Sequence, residues 1–399
     1  MIRRIIFLQT VFVFLLASCQ GPSTGSTSGM VSFSDSDGIY KISLEKALNE
    51  THAVPLSTIG SEIEYIPLET NSNSLLSRAS KIAIHEPYIF VMDRSRVLQF
   101  KNDGSFVRQI GSRGQGPGEY QHYLIKDIVV DSVEQRLVVL NLHTHIFDFN
   151  GNHIKQFRNN SLDNEERVFP LKDNQYIYYF MNQSLHPKEF SLIVLNENAE
   201  IIKTFINHHK RRTKNSFLIP EAAPFYLFQH MLRFKEFGSD TLSTLENGNL
   251  VPYAIFDLGN KALPTDVEFV EVENIHGKYW LLSILEDHTN FYIRLTNWPL
   301  YETSDYLQGV CSKTTGEAVI LKNNKYQNDI DGGLPFFPRF IHSDNICVDG
   351  VQAFELRKHV LNGNVAENRR LYGKKYDDLV KLANSLDDES NPVLIMVKK

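Results

Sequence analysis

Cysteine is scarce, with three residues in a chain of 399. A disulfide framework is therefore excluded as the main source of stability. Cys311 and Cys347 could pair in an oxidising compartment, but two positions do not fix a connectivity. Cys347 also stands in a short apolar run typical of a buried strand. The sequence leaves open whether these two thiols are bonded.

Familiar catalytic and metal-binding motifs are absent. The sequence has no Gly-x-Ser-x-Gly, no His-Glu-x-x-His and no pair of Cys-x-x-Cys motifs, so it offers no motif for a serine hydrolase, a zincin or a zinc ribbon. His143 and His145 would share one face of a strand, as zinc ligands can, but no third ligand is visible and solvated histidines are the simpler interpretation. Asp35 and Asp37 fail the calcium-loop pattern. We predict no cofactor, with calcium and zinc not excluded.

An excess of basic residues is also lacking. The chain carries 41 Lys and Arg against 47 Asp and Glu, a formal net charge of −6. This balance, without a dominant basic face, argues against nucleic acid as the partner. One basic run extends from His208 to Arg212, with Lys214 after it. It is either a solvated loop or a contact for phosphates of lipopolysaccharide.

The N-terminus has an apolar run, Ile5 to Leu16, that is too short to span a bilayer. It follows Arg3 and Arg4 and ends in Leu-Ala-Ser-Cys19, which resembles the lipobox of bacterial lipoproteins. We predict a signal peptide at 1–18, a lipidated Cys19 and a flexible tether at 19–37. The alternative is an ordinary secretion signal in which the Cys19 thiol is not lipidated. Gln20 after the cysteine implies the outer membrane, with the periplasmic face favoured and surface exposure not excluded.

A glycine-rich hinge, Gly111 to Tyr120, separates two similar stretches. Tyr88 to Ile110 and Arg136 to Phe157 each contain alternating apolar segments around an Asp-Gly or Asn-Gly turn, the pattern of antiparallel hairpins. One such meander buries only one face, so its repetition favours blades arranged radially in a propeller. Strands rather than a helix follow the hinge, so its glycines are not a dinucleotide fingerprint.

The repeats predict one all-β domain at 38–399. It is a six-bladed β-propeller of four-stranded antiparallel blades, with short helices in the last blade. The strand at 61–68 and the strand at Pro392–Val397 are expected to meet in one blade and close the ring. The predicted blades are 74–111, 122–158, 165–207, 222–258, 266–308, and 336–399 with 61–68.

Several short motifs carry a resemblance to a known family. The chain resembles the six-bladed β-propeller lipoproteins of Gram-negative gut-type bacteria, relatives of NHL-repeat propellers, from about Ile63 to its C-terminus. The resemblance implies a secreted, lipid-anchored propeller and implies no reaction or catalytic residues. The motifs are Ile66 to Thr70 (IPLET), Gly114 to Tyr120, Asp240 to Leu242, Gly332-Gly333, and Asn391 to Leu394.

The hinge supplies candidate ligand-binding residues. An interblade loop is expected to pass near the central channel, where propellers usually bind ligands. Glu119 and Tyr120 could equally fasten the loop. No catalytic residue is assigned. The candidates are Arg113, Gln115, Glu119 and Tyr120 in the hinge, joined by Arg78 and Arg339 ahead of other inner strands.

Two functions from different classes remain. The first is a monomeric binding or scaffold module that recognises a glycan, a peptide or an envelope protein, tethered to the membrane by its lipid. The alternative is a hydrolase or lyase, metal-dependent in one version, acting at the channel mouth. Its candidate residues are Asp127, Asp131, Glu119 and histidines on the channel side.

Overall fold

The structure, a computed structural model, describes most of the chain from residue 31 onward. The described residues are 31–33, 38–77, 79–121, 124–160, 162–163, 165–180, 189–208, 224–236, 238–262, 276–297 and 306–399. The predicted signal peptide, Cys19, Arg78 and the basic run after His208 lie outside the described residues.

The N-terminal segment contributes four strands to three different sheets. These are β1 (Val31–Phe33), β2 (Tyr40–Ser43), β3 (Thr51–His52) and β4 (Glu62–Pro67). The tether was predicted to reach residue 37, but β1 pairs antiparallel with β2. The strand was missed because three residues carry too little alternation to signal one.

Six sheets form the six blades, which confirms the predicted propeller. Blade 1 is β5 (Lys81–His85), β6 (Tyr88–Asp93), β7 (Arg96–Lys101) and β8 (Phe106–Ile110). The hinge holds β9 (Ser112–Arg113) and β10 (Glu119–Tyr120). Blade 2 is β11 (Asp127–Asp131), β12 (Arg136–Leu140), β13 (Thr144–Asp148) and β14 (His153–Phe157). Blade 3 is β15 (Arg167–Pro170), β16 (Tyr176–Tyr179), β17 (Phe190–Leu195) and β18 (Ile201–Ile206).

The second half of the ring follows the same order of strands. Blade 4 is β19 (Phe225–Phe228), β20 (Met231–Lys235), β21 (Thr241–Glu246) and β22 (Asn249–Asp257). Blade 5 is β23 (Tyr279–Glu286), β24 (Asn290–Asn297), β25 (Tyr306–Ser312) and β26 (Ala318–Leu321). Blade 6 is β27 (Phe340–His342), β28 (Ile346–Val351), β29 (Val393–Lys398) and β4. The first strand of each blade is innermost, and we call the face where these strands begin the upper face.

The tight turns explain why the hairpins are readable from sequence. Gly104 and Gly151, each after an Asn or Asp, have φ of +84° and +83°. In blade 4 both turn residues, Asn247 and Gly248, have positive φ, of +48° and +75°. Backbone of this hand matches the twist of the paired strands, and glycine adopts it without strain.

Both ends of the chain close the ring, as predicted. β4 pairs antiparallel with β29 from Glu62 opposite Lys398 to Pro67 opposite Val393. The N-terminal segment does more than the sequence predicted, because β2 pairs parallel with β22 and β3 pairs parallel with β26. It therefore covers the outer edges of blades 4 and 5, which would otherwise present unpaired backbone groups.

The core lies between the blades. Six apolar clusters fill the interfaces between neighbouring blades. Between blades 1 and 2, for example, Phe90 and Val97 pack with Leu137 and Phe147, all at most 1% exposed. Burying a side chain of this kind contributes about 1.5–3 kcal/mol. Neighbouring blades therefore stabilise each other, as the repeat argument requires.

The fifth blade departs from its predicted boundaries of 266–308. Its described strands begin at Tyr279 and its fourth strand ends at Leu321. The blade was misjudged because its strands are up to eight residues long and the turn at 313–317 contains no Asn-Gly or Asp-Gly pair.

Three helices connect β28 to β29 on the upper face. They are α1 (Ala353–Asn362), α2 (Val365–Tyr372) and α3 (Lys374–Ser385). Helical spacing predicted α1 and α3, whose apolar stripes are buried, whereas α2 buries no residue and gave no signal.

Candidate functional site

Glu119 and Tyr120 hold the hinge together. β9 and β10 pair in parallel, and Gly116 N donates to Glu119 Oε2 at 2.7 Å. The Tyr120 hydroxyl donates to Ile110 O at 2.8 Å, and the ring is 1% exposed. Burial raises the pKa of Tyr120. For Glu119 and Tyr120 these contacts support the role of fastening the loop rather than that of binding a ligand.

The hinge lies over outer strands of blade 2 rather than over the channel. A Cβ added to Gly118 would lie 2.8 Å from the Cβ of His153 in β14, the outermost strand. Arg113 and Gln115 are exposed in this loop, whereas Arg339 precedes the innermost strand of blade 6. The structure therefore does not bring the predicted ligand-binding residues together, and Arg78 is not described.

The carboxylates named for a metal-dependent enzyme also lie apart. Asp127 and Asp131 stand at opposite ends of β11, about 13 Å apart at 3.3 Å per residue. Asp131 caps a turn, accepting from Val133 N at 3.2 Å and Glu134 N at 3.1 Å. Within the described residues, no three His, Cys, Asp or Glu side chains are arranged to hold a metal ion.

A cation recurs at the start of the innermost strand in most blades, on the upper face. In five of the six blades, a Lys or Arg occupies the first position of the innermost strand or the position before it. In blade 4 the position before β19 is Pro224. We call these five residues the mouth cations. They are Lys81, Lys126, Arg167, Lys278 and Arg339.

Lys81 joins blades 1 and 2. Its Nζ lies 2.5 Å from Asp127 Oδ1, and the other carboxylate oxygen of Asp127 accepts from Val168 N of blade 3 at 3.1 Å. The Lys81 side chain is 38% exposed and that of Asp127 only 1%. The Asp127 carboxylate is therefore shielded from solvent, whereas the Lys81 side chain is partly exposed to it.

Lys126 and Arg167 repeat this arrangement between blades 2 and 3. Lys126 Nζ donates to Glu165 O at 2.9 Å, and Arg167 Nη1 donates to Glu166 O at 2.7 Å. Burial raises the pKa of the Glu166 carboxyl, an effect that Arg167 and Lys126 oppose.

A small cavity lies beside this pair of blades. It measures about 20 Å³, which accommodates a single water molecule. Its polar lining comprises Thr144, Arg158, Asn159, Glu165 and Tyr178. This cavity is therefore too small to hold a ligand larger than water.

Arg339 and Lys325 flank a buried carboxylate in blade 6. Arg339 Nε lies 2.9 Å from Asp349 Oδ1, and Lys325 Nζ lies 3.9 Å from Asp349 Oδ2. Burial raises the pKa of Asp349, and the two cations oppose that shift. Asp349 is 4% exposed while Arg339 is 51% exposed, so positive charge again faces outward.

A second charged cluster, near the lower face, is closed to ligands. Glu286 accepts from Arg233 Nε at 2.8 Å, Lys313 Nζ at 2.5 Å and Tyr253 OH at 3.0 Å. The Glu286 side chain is fully buried. This network joins blades 4 and 5, and no sequence motif predicted it.

Sequence reasoning found Arg339 but missed the other four mouth cations. A signal existed, because a cation recurs at the same position of successive repeats, but it becomes visible only once the blades are aligned. The thiol question is answered by the structure, in which Cys311 and Cys347 are both buried and unbonded. In the described part of the chain, no helix is long and apolar enough to cross a membrane.

Comparisons with known proteins agree on the fold. A family model described as "Domain of unknown function (DUF4934)" matches residues 39–398. A crystal structure from Bacteroides fragilis NCTC 9343, of a protein described as exported, is similar with a TM-score of 0.64 and 15% identity, covering 90% of this chain and 99% of that one. At this identity the likeness shows the fold alone. No curated protein matches the sequence.

Weaker structural likenesses carry no functional argument. A protein of unknown function from Bacteroides caccae has a TM-score of 0.37 at 9% identity, covering 61% of this chain and 81% of that one. Virginiamycin B lyase from Staphylococcus aureus also has a TM-score of 0.37, at 10% identity, covering 67% of this chain and 77% of that one.

Proposed function

The chain belongs to the DUF4934 family, and we propose that it is a binding module whose upper mouth recognises a carboxylate-bearing glycan or peptide. The observation that carries this proposal is the arrangement of charge at the mouth. Each cation is partly exposed, while the acids Asp127, Glu165 and Asp349 behind them are buried. The mouth therefore presents positive charge on a chain whose formal net charge is −6.

The mouth cations are held in place before any ligand arrives. Lys126 and Lys278 each donate to a backbone carbonyl oxygen, at 2.9 Å and 2.5 Å. A side chain that is already ordered loses less conformational entropy on binding, which favours affinity. Charges around a concave, low-dielectric opening also focus the electric field and speed the arrival of anions.

The proposal includes the cellular location predicted from the N-terminal sequence. We propose that cleavage before Cys19 and lipidation of its thiol anchor the propeller to the outer membrane. Metabolic labelling with a fatty acid, comparing the chain with its Cys19→Ser variant, tests this part. Label on the unaltered chain and none on the variant supports it, and an unlabelled chain contradicts it.

Matched ligands test the binding function. Isothermal titration would compare a uronate-containing oligosaccharide with the same sugar after reduction of its carboxyls, and a glutamate-rich peptide with its glutamine counterpart. We expect one acidic form to bind at least about tenfold more tightly than its neutral twin, with affinity falling as salt rises. Equal affinity for both twins, or binding of neither, would overturn the proposal.

Substitutions locate the binding. Lys126→Met and Lys278→Met each remove one mouth cation. Lys278 Nζ donates to Asn260 O, whereas Lys126 Nζ donates to Glu165 O and also lies 3.9 Å from Glu165 Oε2, so circular dichroism must show that the Lys126 variant stays folded. Lys381→Met removes an exposed cation on α3 and serves as the control. We expect the first two to weaken binding of the acidic ligand several-fold and the third to leave it unchanged.

A further inference from the structure

Exposed apolar side chains gather on one half of the rim of the propeller, which is formed by the fourth strand of each blade. Among the described residues, five of the eleven large apolar side chains that are exposed lie on the fourth strands of the consecutive blades 2, 3 and 4. The described fourth strands of blades 1, 5 and 6 carry none. We call these five residues the apolar rim. They are Ile154, Ile201, Ile202, Ile206 and Val251.

The fourth strand of blade 3, β18, carries most of the apolar rim. Ile201, Ile202 and Ile206 are 48%, 52% and 65% exposed. No described strand pairs with the outer edge of β18, whereas β2 and β3 cover the edges of blades 4 and 5. A group of exposed apolar side chains on a folded domain marks contact with a protein or a membrane.

β18 adjoins the fourth strand of blade 4. Lys203 Nζ, in β18, donates to Gly248 O at 2.5 Å and to Asn249 Oδ1 at 3.0 Å. Asn249 begins β22, and Val251 stands two residues further along the same strand. The isoleucines of β18 and Val251 therefore belong to neighbouring parts of the rim.

The described chain begins at this part of the rim. β1 pairs with β2 and β2 pairs with β22, so β1 is the outermost strand of the sheet of blade 4. Residues 20–30 join Cys19 to Val31. A chain of this length spans at most about 40 Å, and about 20 Å on average when it is rich in Gly and Ser.

The segment that joins Cys19 to the propeller is shorter than the propeller is wide. A domain of this size has a radius of gyration of about 21 Å and is therefore about 50 Å across. Blade 1 lies opposite blade 4 in a ring of six. A lipid on Cys19 would therefore hold the side of the ring that contains blade 4 nearest to the bilayer.

We propose that the apolar rim rests on the surface of the lipid bilayer, an inference that depends on the lipidation of Cys19 proposed above. The isoleucine side chains enter the boundary between headgroups and acyl chains, where buried apolar area strengthens binding. The contact is shallow, because the open edge of β18 needs water or headgroups as hydrogen-bond partners for its backbone.

This contact fixes the orientation of the propeller. The rim runs around the channel axis, so a propeller that rests on its rim has this axis parallel to the membrane. Both mouths then open to solvent, and the mouth cations can meet a soluble acidic ligand. Contact through the upper face would instead cover them.

Quenching by spin-labelled lipids tests the proposal. The chain from residue 19, with Cys19→Ser and an N-terminal polyhistidine tag, would be tethered to vesicles of phosphatidylethanolamine and phosphatidylglycerol that contain a nickel-chelating lipid. A fluorescent dye attached to an Ile202→Cys variant reports contact, because Cys311 and Cys347 are buried. We expect quenching at least about twofold stronger than in a Phe354→Cys control, which places the dye on α1 at a side chain 46% exposed. Equal quenching at both positions would overturn the proposal.

Two further measurements separate the alternatives. Adding Ile206→Glu to the labelled Ile202→Cys variant should reduce the quenching, with circular dichroism as the check on folding. Dye fluorescence that changes with protein concentration in the absence of vesicles, without quenching by lipid, would identify a second copy as the occupant and overturn the proposal. Because the tag replaces the lipid, the two proposals fail separately. A Cys19 that takes up no fatty acid would overturn the anchor and this inference with it, whereas a lipidated Cys19 with an unquenched rim would overturn this inference alone.

Discussion

At the residue scale, the buried Glu286 carboxylate balances two cations in the interface of blades 4 and 5. Arg233 and Lys313 both contact it, and their side chains are 5% exposed. Removing one partner of a buried ion pair leaves charge without compensation, which typically costs about 3–5 kcal/mol. We predict that Glu286→Gln lowers the free energy of unfolding by this amount in urea denaturation. Asp378→Asn, in an exposed pair on α3, should produce no measurable change; equal effects would mean that the network is not stabilising.

His145 gives the stability of the protein a pH dependence. Burial lowers its pKa from 6.5 to about 4, so below pH 6.5 the unfolded chain binds a proton that the folded chain does not. Stability is therefore full above pH 6.5 and declines progressively toward pH 4, by about 3 kcal/mol from this residue.

Urea denaturation between pH 7 and 4 measures this contribution. His145→Leu should flatten the decline, while the exposed His359→Gln should retain it. An unchanged decline in His145→Leu would assign the pH dependence to other groups.

At the element scale, the hinge depends on glycine for space as well as for backbone angle. Gly118 has φ of +75° and its added Cβ would meet His153, whereas Gly277 has φ of +71° and nothing within 4 Å. Both alanine variants strain the backbone, but only Gly118→Ala also overpacks the interface. We predict that Gly118→Ala is the less stable of the two by about 1–3 kcal/mol in urea denaturation. Equal losses of unfolding free energy in the two variants would show that the hinge moves to accommodate the added methyl group.

The N-terminal segment is the element that completes the ring. Deleting residues 1–37 leaves β2, β3 and β4 in place, so we expect cooperative melting close to that of the full chain. Deleting residues 1–68 exposes β29 and bares the edges of blades 4 and 5. We expect that chain to lose its cooperative transition in circular dichroism. Similar melting of the two deletions would argue against closure by β4.

Local signals account for the elements that sequence predicted. Asp103-Gly104 and Asn150-Gly151 marked hairpins, and the alternation at Glu62–Pro67 marked the closing strand. β2 and β3 escaped because strands of two to four residues, paired in parallel with partners more than two hundred residues away, leave no local pattern. The mouth cations escaped for the same reason, since only the folded ring brings them together.

At the scale of the whole molecule, the propeller buries acidic side chains at its upper mouth and leaves the basic side chains beside them partly exposed. Asp127 and Glu165 are buried at the mouth, where each pairs with a lysine of the preceding blade, and Asp349 is buried beside Arg339 of its own blade, while the cations stay partly exposed. This arrangement gives an acidic protein a positive mouth, and it is the central claim of the functional proposal.

The most direct test is amide hydrogen exchange with and without a bound acidic ligand. Binding at the mouth should slow exchange at the beginnings of the innermost strands, near Lys81, Lys126, Arg167 and Arg339, because those amides open less often in the complex. Protection confined to the lower face or to the outer strands would contradict the account.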